Sequence, residues 1–136
     1  MQPKMGIDKF GVKQWHLKGK LHREDGPAVI WPADFEFRYL RGKLHRGDGP
    51  AATYADGAEE WWQCGKQHRV GAPAIIHSNG KEEWWLNDKQ HREDGPAVVY
   101  PDGTEEWWIN GEELTEDEVW ARQLKKQIDE AVNNAT

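Results

Sequence analysis

A single cysteine, Cys64, stands in this 136-residue chain, so no internal disulfide can form. Long apolar runs are missing as well: no stretch approaches the 18 or so residues that a membrane-spanning helix needs, and the N-terminus lacks a signal-type apolar segment. These absences predict a reducing, cytoplasmic setting and leave Cys64 as a spare thiol at a turn position. Aliphatic core material is scarce too, since only 37% of the chain is apolar and 31% is charged. A large three-dimensional core is therefore excluded. Nine tryptophans offset the shortage, each able to bury about 200 Å². A basic surface is also lacking. Residues 1–58 carry ten Lys/Arg against seven Asp/Glu (+3), whereas residues 59–136 carry eight against seventeen (−9). That balance argues against nucleic acid and permits a basic protein partner at the C-terminal end.

What the chain does have is a period. Histidine recurs at 22, 45, 68 and 91, each time 23 residues on. It opens the stretches His22-Arg23-Glu24-Asp25-Gly26-Pro27-Ala28, His45-Arg46-Gly47-Asp48-Gly49-Pro50-Ala51, His68-Arg69-Val70-Gly71-Ala72-Pro73-Ala74 and His91-Arg92-Glu93-Asp94-Gly95-Pro96-Ala97. A fixed period of this size means stacked units, each burying its face on the next. Asn110-Gly111 and Asp102-Gly103 are two-residue hairpin signals, and Asp56-Gly57 and Asn79-Gly80 occupy the second of these slots. Beta-branched and aromatic residues fill the segments between, and the recurring prolines start strands. The expected architecture is an all-β repeat: about nine antiparallel strands in an elongated single-layer meander of hairpins, closed by a helix. Residues 1–9 read as a loose leader, 10–113 as four and a half repeats, and 114–136 as a C-terminal capping helix. Thr115 and Glu118 form a capping box, and Trp120, Leu124, Ile128 and Val132 give one apolar stripe. The stripe is expected to cover the last strand or face; packing on a partner's helix is the lesser alternative. An open last strand or the helix also offers a route to a homodimer.

These units resemble MORN-type repeats, whose unit is also 23 residues. The resemblance rests on Trp85, Asn87, Lys89, His91, Gly95, Asp102 and Gly103 in the fourth unit and on Trp108, Asn110 and Gly111 in the last. It covers about three quarters of the chain and is nearest in style to the divergent repeats of bacterial and phage proteins. The glycine that the family places before its tryptophan is replaced by Glu60, Glu83 and Glu106, and the Arg-x-Asp-Gly-Pro-Ala stretch is added. The resemblance implies stacked two-stranded hairpins and a protein-binding or lipid-binding module, and its style suggests a small phage-type inhibitor of a host protein.

Catalysis and metal binding find little support. Equivalent histidines lie two strands apart, about 9.6 Å at about 4.8 Å per strand, so they cannot share a zinc ion. A His–Asp pair such as His91 and Asp94 has no accompanying nucleophile in every unit. Neither an enzymatic activity nor a cofactor is expected. The tryptophans are the stronger lead. Trp61-Trp62, Trp84-Trp85 and Trp107-Trp108 put one aromatic column on each face of a sheet. The column 16, 39, 62, 85, 108 matches the packing tryptophan of the family. For the column 15, 38, 61, 84, 107, two readings stay open: burial by twist and helix, or an exposed ridge of Trp61, Trp84 and Trp107 rimmed by Arg69, Arg92, Glu82 and Glu105. An exposed ridge serves a protein partner; alternatively it stacks a sugar or nucleotide. Glutamates beside the tryptophans disfavour a membrane surface.

Overall fold

The computed structural model describes residues 1–135. Eighteen short strands are followed by one helix, Glu116–Asn134. Eleven of the strands form an antiparallel path in chain order, from Lys4–Ile7 through Lys13–Leu17, Val29–Trp31, Phe35–Phe37, Ala52–Thr53, Glu59–Glu60, Ile75–Ile76, Glu82–Glu83, Val98–Val99 and Glu105–Ile109 to Glu112–Leu114. Ten inter-strand steps make this path about 48 Å long. Lys20–Leu21 pairs beside it, and three separate hairpins flank it: Tyr39–Leu40 with Lys43–Leu44, Trp62–Gln63 with Lys66–Gln67, and Trp85–Leu86 with Lys89–Gln90. The chain is thus an all-β repeat in meander order with one C-terminal helix.

The strand count is double that expected because each long strand changes partner at one residue. The Trp84 N–H donates to Ala97 O in the main sheet (2.7 Å), while its carbonyl accepts from His91 N–H in the side hairpin (3.0 Å). Trp61 does the same with Ala74 and His68 (2.7 and 3.1 Å). Only at the two ends, in Lys13–Leu17 and Glu105–Ile109, does one strand run through this position unbroken.

Turn chemistry explains the hairpins. Five turns hold two consecutive residues at positive φ: Lys18-Gly19, Arg41-Gly42, Cys64-Gly65, Asn87-Asp88 and Asn110-Gly111. Positive φ at both central residues is the type I′ signature, whose twist matches that of the flanking strands. The Asp102-Gly103 slot differs from the expected two-residue turn. Tyr100 N–H donates to Thr104 O across three intervening residues, and Gly103 alone takes positive φ (+88°), which makes a three-residue loop. Asp102 Oδ1 accepts from Thr104 N–H (2.9 Å) and stiffens it; Asp56 and Asn79 do the same at 58 and 81.

The presumed leader is instead half a repeat. Lys4–Ile7 pairs with Lys13–Leu17, and Asp8 N–H donates to Val12 O (3.1 Å), with Gly11 at φ +81°. Asp8 stands four periods before Tyr100, and Gly11 four before Gly103. This loop lacks the Pro-Asp signal, so backbone pairing and the Asp8 carboxylate hold it (2.8 Å to Phe10 N–H).

The core is thin and made of small residues. Ala28, Ala51, Ala74 and Ala97 are all buried, next to Val29, Ala52, Ile75 and Val98. Each of these alanines follows the recurring proline and is fixed by main-chain bonds on both sides, as Ala97 is by Glu106 O and Trp84 N–H (2.8 and 2.7 Å). Successive units are further stitched by the histidines. Nδ1 of His22, His45, His68 and His91 accepts the N–H of Arg41, Cys64, Asn87 and Asn110, respectively, at 2.9–3.1 Å. Each acceptor caps a left-handed turn residue of the next unit.

Candidate functional site

The arginine that follows each histidine folds back over its own unit. The guanidinium of Arg92 lies 3.8 Å from the Trp84 ring centre, Arg69 lies 3.7 Å from Trp61, and Arg23 lies 3.9 Å from Trp15. Such stacking is a cation–π contact worth about 0.5–2 kcal/mol. The same side chain donates through Nη1 to the proline carbonyl four residues on (Pro96, 3.2 Å; Pro73, 3.1 Å). Arg23, Arg46 and Arg92 also donate through Nε to the aspartate two residues on, each at 3.0 Å. The Arg46 bond holds the exposed Asp48 carboxyl below its ordinary range. Where the unit has Arg38 in place of tryptophan, burial and then the Arg46 guanidinium lower the arginine's pKa.

This geometry settles the ridge. Trp61 and Trp84 are half-buried under arginine, and Trp107 is only 8% exposed, with Trp120 of the helix edge-on at 5.5 Å. Of the two readings left open for this column, burial holds, though its cover comes mainly from arginine: Trp120 completes, over the last unit, the cover that arginine supplies over the others. The rim residues divide. Arg69 and Arg92 sit with their tryptophans, committed to their own units. Glu82 is half-buried opposite Val99, and Glu105 is exposed opposite the same residue; neither carboxylate makes a hydrogen bond or ion pair among the described residues.

Glutamate at the position before the paired tryptophans has a role the sequence did not disclose. Glu60 accepts from Trp62 Nε1 and Tyr54 Oη (3.1 and 3.3 Å), and Glu106 accepts from Trp108 Nε1 and Tyr100 Oη (3.0 and 2.6 Å). Burial first, and then Glu60, push the Tyr54 hydroxyl up to about 12. In the fourth unit His77 and Gln90 occupy Glu83 (2.5 and 3.2 Å), and the buried Trp85 Nε1 finds no acceptor among the described residues. The Tyr100 and Trp108 bonds hold Glu106 below its ordinary value of 4.5. A carboxylate lowered on folding stabilises above its unfolded pKa, and that contribution disappears as pH falls through the folded one. Glu106→Gln is therefore expected to flatten the loss of stability below about pH 4.5 in urea titrations. Parallel curves for the two proteins down to about pH 3 would remove this role.

One shallow cavity gathers several of these elements. It measures about 380 Å³ and lies between the third and fourth His-Arg loops, lined by Arg69, Val70, Gly71, Trp84, Arg92, Glu93, Asp94 and, from the helix, Gln123. The third loop makes it distinctive. Gly71 stands where the other units have aspartate, so Arg69 keeps its carbonyl and stacking contacts without an aspartate, and Val70 is 79% exposed at the rim. The irregular unit was visible in the sequence; that the helix would close the groove beside it was not.

Among the described residues, no group of three or more His, Cys, Asp or Glu is placed to hold a metal ion. Cys64 Sγ lies 3.8 Å from His45 Nδ1, but that nitrogen already accepts the Cys64 N–H, so it is not positioned as a base for the thiol. No described helix is long and apolar enough to cross a membrane. No family model matches the chain, and no curated protein does.

Proposed function

We propose that the chain is a non-enzymatic protein-interaction module, of the size and acidity expected of a small inhibitor. The observation that carries this reading is the groove between the third and fourth loops. There an unusually exposed Val70 adjoins the Arg69 and Arg92 guanidinium edges and the acidic pair Glu93 and Asp94. An apolar contact ringed by both charge signs suits a protein surface with a basic segment, and the −9 charge of residues 59–136 favours its approach. A sugar or nucleotide reading is weaker here, because Arg92 occupies the Trp84 face on which a ring would stack.

The test keeps the stacked tryptophans intact, since removing them would uncover their arginines and the core. Val70→Glu changes only an exposed rim residue. Capture from a native lysate by the wild-type chain should enrich one protein that the Val70→Glu variant recovers at least about tenfold less, the equivalent of 1.4 kcal/mol, with unchanged thermal melting. Equal recovery by both rejects the groove. A tryptophan-fluorescence response to a sugar or nucleotide, without any captured protein, would favour the small-ligand reading instead.

A further inference from the structure

The helix Glu116–Asn134 attaches to the repeats along one narrow face. Val119 is buried, Gln123 is half-buried beside the groove, and Lys126 Nζ meets Glu93 Oε2 at 3.0 Å. At 100° per residue these three lie together. The apolar stripe lies on the other side. Trp120 reaches Trp107 by one edge, yet it is 43% exposed, and Leu124, Ile128 and Val132 are 57%, 54% and 59% exposed. The expected cap is thus made by Val119 and the Trp120 edge, and the rest of the stripe, Leu124 to Val132, faces solvent over about two turns.

The pattern on that outer face reads the same in both directions. Trp120 and Val132, Ala121 and Ala131, and Leu124 and Ile128 are each equidistant from position 126. A stripe with this symmetry matches an inverted copy of itself, the requirement of an interface across a two-fold axis. We propose that the outer helix face binds the same face of a second copy of this chain, antiparallel, with the two-fold axis crossing the stripe between Leu124 and Ile128, at the height of residue 126 along the helix. Large residues then face large ones at both ends, and the alanines let the helices approach closely. Charge supports the direction. Lys125 on the flank of one helix comes beside Asp129 on the same flank of the other, while Lys126 points back to Glu93. A parallel pair would instead bring two acidic first turns, Glu116-Asp117-Glu118, side by side. The helix carries five acidic and three basic residues, which opposes an anionic lipid surface. The stripe is about 18 Å long and smaller than a standard interface, so association in the micromolar range is expected.

Sedimentation equilibrium of the full chain from about 5 to 200 µM tests this. The wild type should shift from monomer to dimer, and the double variant Leu124→Glu, Ile128→Glu should stay monomeric with an unchanged circular dichroism spectrum, both positions being more than half exposed. Orientation is read with Cys64→Asn as background, asparagine being native at the same slot (Asn87, Asn110). A mixture of Ala121→Cys and Ala131→Cys chains should oxidise chiefly to the mixed disulfide. A wild type that is monomeric throughout the range overturns the proposal, whether or not the outer face then binds vesicles or another protein. A dimer that survives the double variant, or an Ala121→Cys homodisulfide as the main product, overturns it equally.

Discussion

Ala97→Leu is expected to destabilise the protein by about 1–3 kcal/mol, whereas Ala55→Leu stays within about 0.5 kcal/mol of wild type. Ala97 is fully buried, and Ala55 is exposed on a turn. The cost at 97 arises because the backbone cannot yield. Its N–H and carbonyl are both tied to neighbouring strands, at 2.8 and 2.7 Å, so extra methyl groups must displace side chains instead. Four alanines at one position of the period set the thickness of the molecule: the core is a column of methyl groups rather than a packed interior. Urea unfolding of the two variants checks this, and equal midpoints would show that the column tolerates bulk.

The period, the Asn110-Gly111 type of turn and the helix could be read directly, because each follows from local rules applied at a constant spacing; the Asp102-Gly103 slot was legible as a turn but not in its length. Asn110-Gly111 demands a left-handed pair wherever it occurs, and Thr115 with Glu118 caps a helix whatever lies nearby. Most of the failures share a cause, which is that their determinants lie across a turn or in another element. For Trp84, exposure and burial both stayed open because its cover, Arg92, comes eight residues later and reaches it only after the chain has turned. Glu83 and Glu106 read as departures from a family pattern, although each accepts hydrogen bonds from a side chain six residues earlier or a few residues later. The stripe on the helix was legible as a stripe, but helical periodicity cannot tell which face meets the array; Val119, outside the stripe, turned out to make that contact. Residues 4–7 were missed as a strand because the loop that follows has Phe10 where later units have Asp102 or its equivalents. The candidate groove combines both cases: Gly71 announced an irregular unit, while Gln123 arrives there only through the placement of the helix.

His91→Ala should cost about 1–3 kcal/mol, with His45→Ala clearly milder. The two histidines make the same bond, Nδ1 accepting from a backbone N–H nineteen residues on, at 2.9 and 3.0 Å. They differ in surroundings. His91 is 9% exposed and its bond to Asn110 is partly buried, whereas His45 is half-buried and the Cys64 N–H beside it is exposed. Water can replace the lost acceptor at Cys64, but replaces it poorly at Asn110, so the penalty follows the desolvation of the orphaned N–H rather than the length of the bond. Asn110 is also held at φ +48°, and the bond to His91 is one of the contacts that keeps it there. Because each unit rests on its neighbours, the loss should spread to the adjoining hairpin 105–114 and the helix that packs on it. Amide exchange in the His91→Ala variant is therefore expected to quicken at 105–119 before it changes near Lys13–Leu17. Uniform acceleration, or equal destabilisation by the two substitutions, would show instead that the histidines are interchangeable surface caps and that the units are not joined through them.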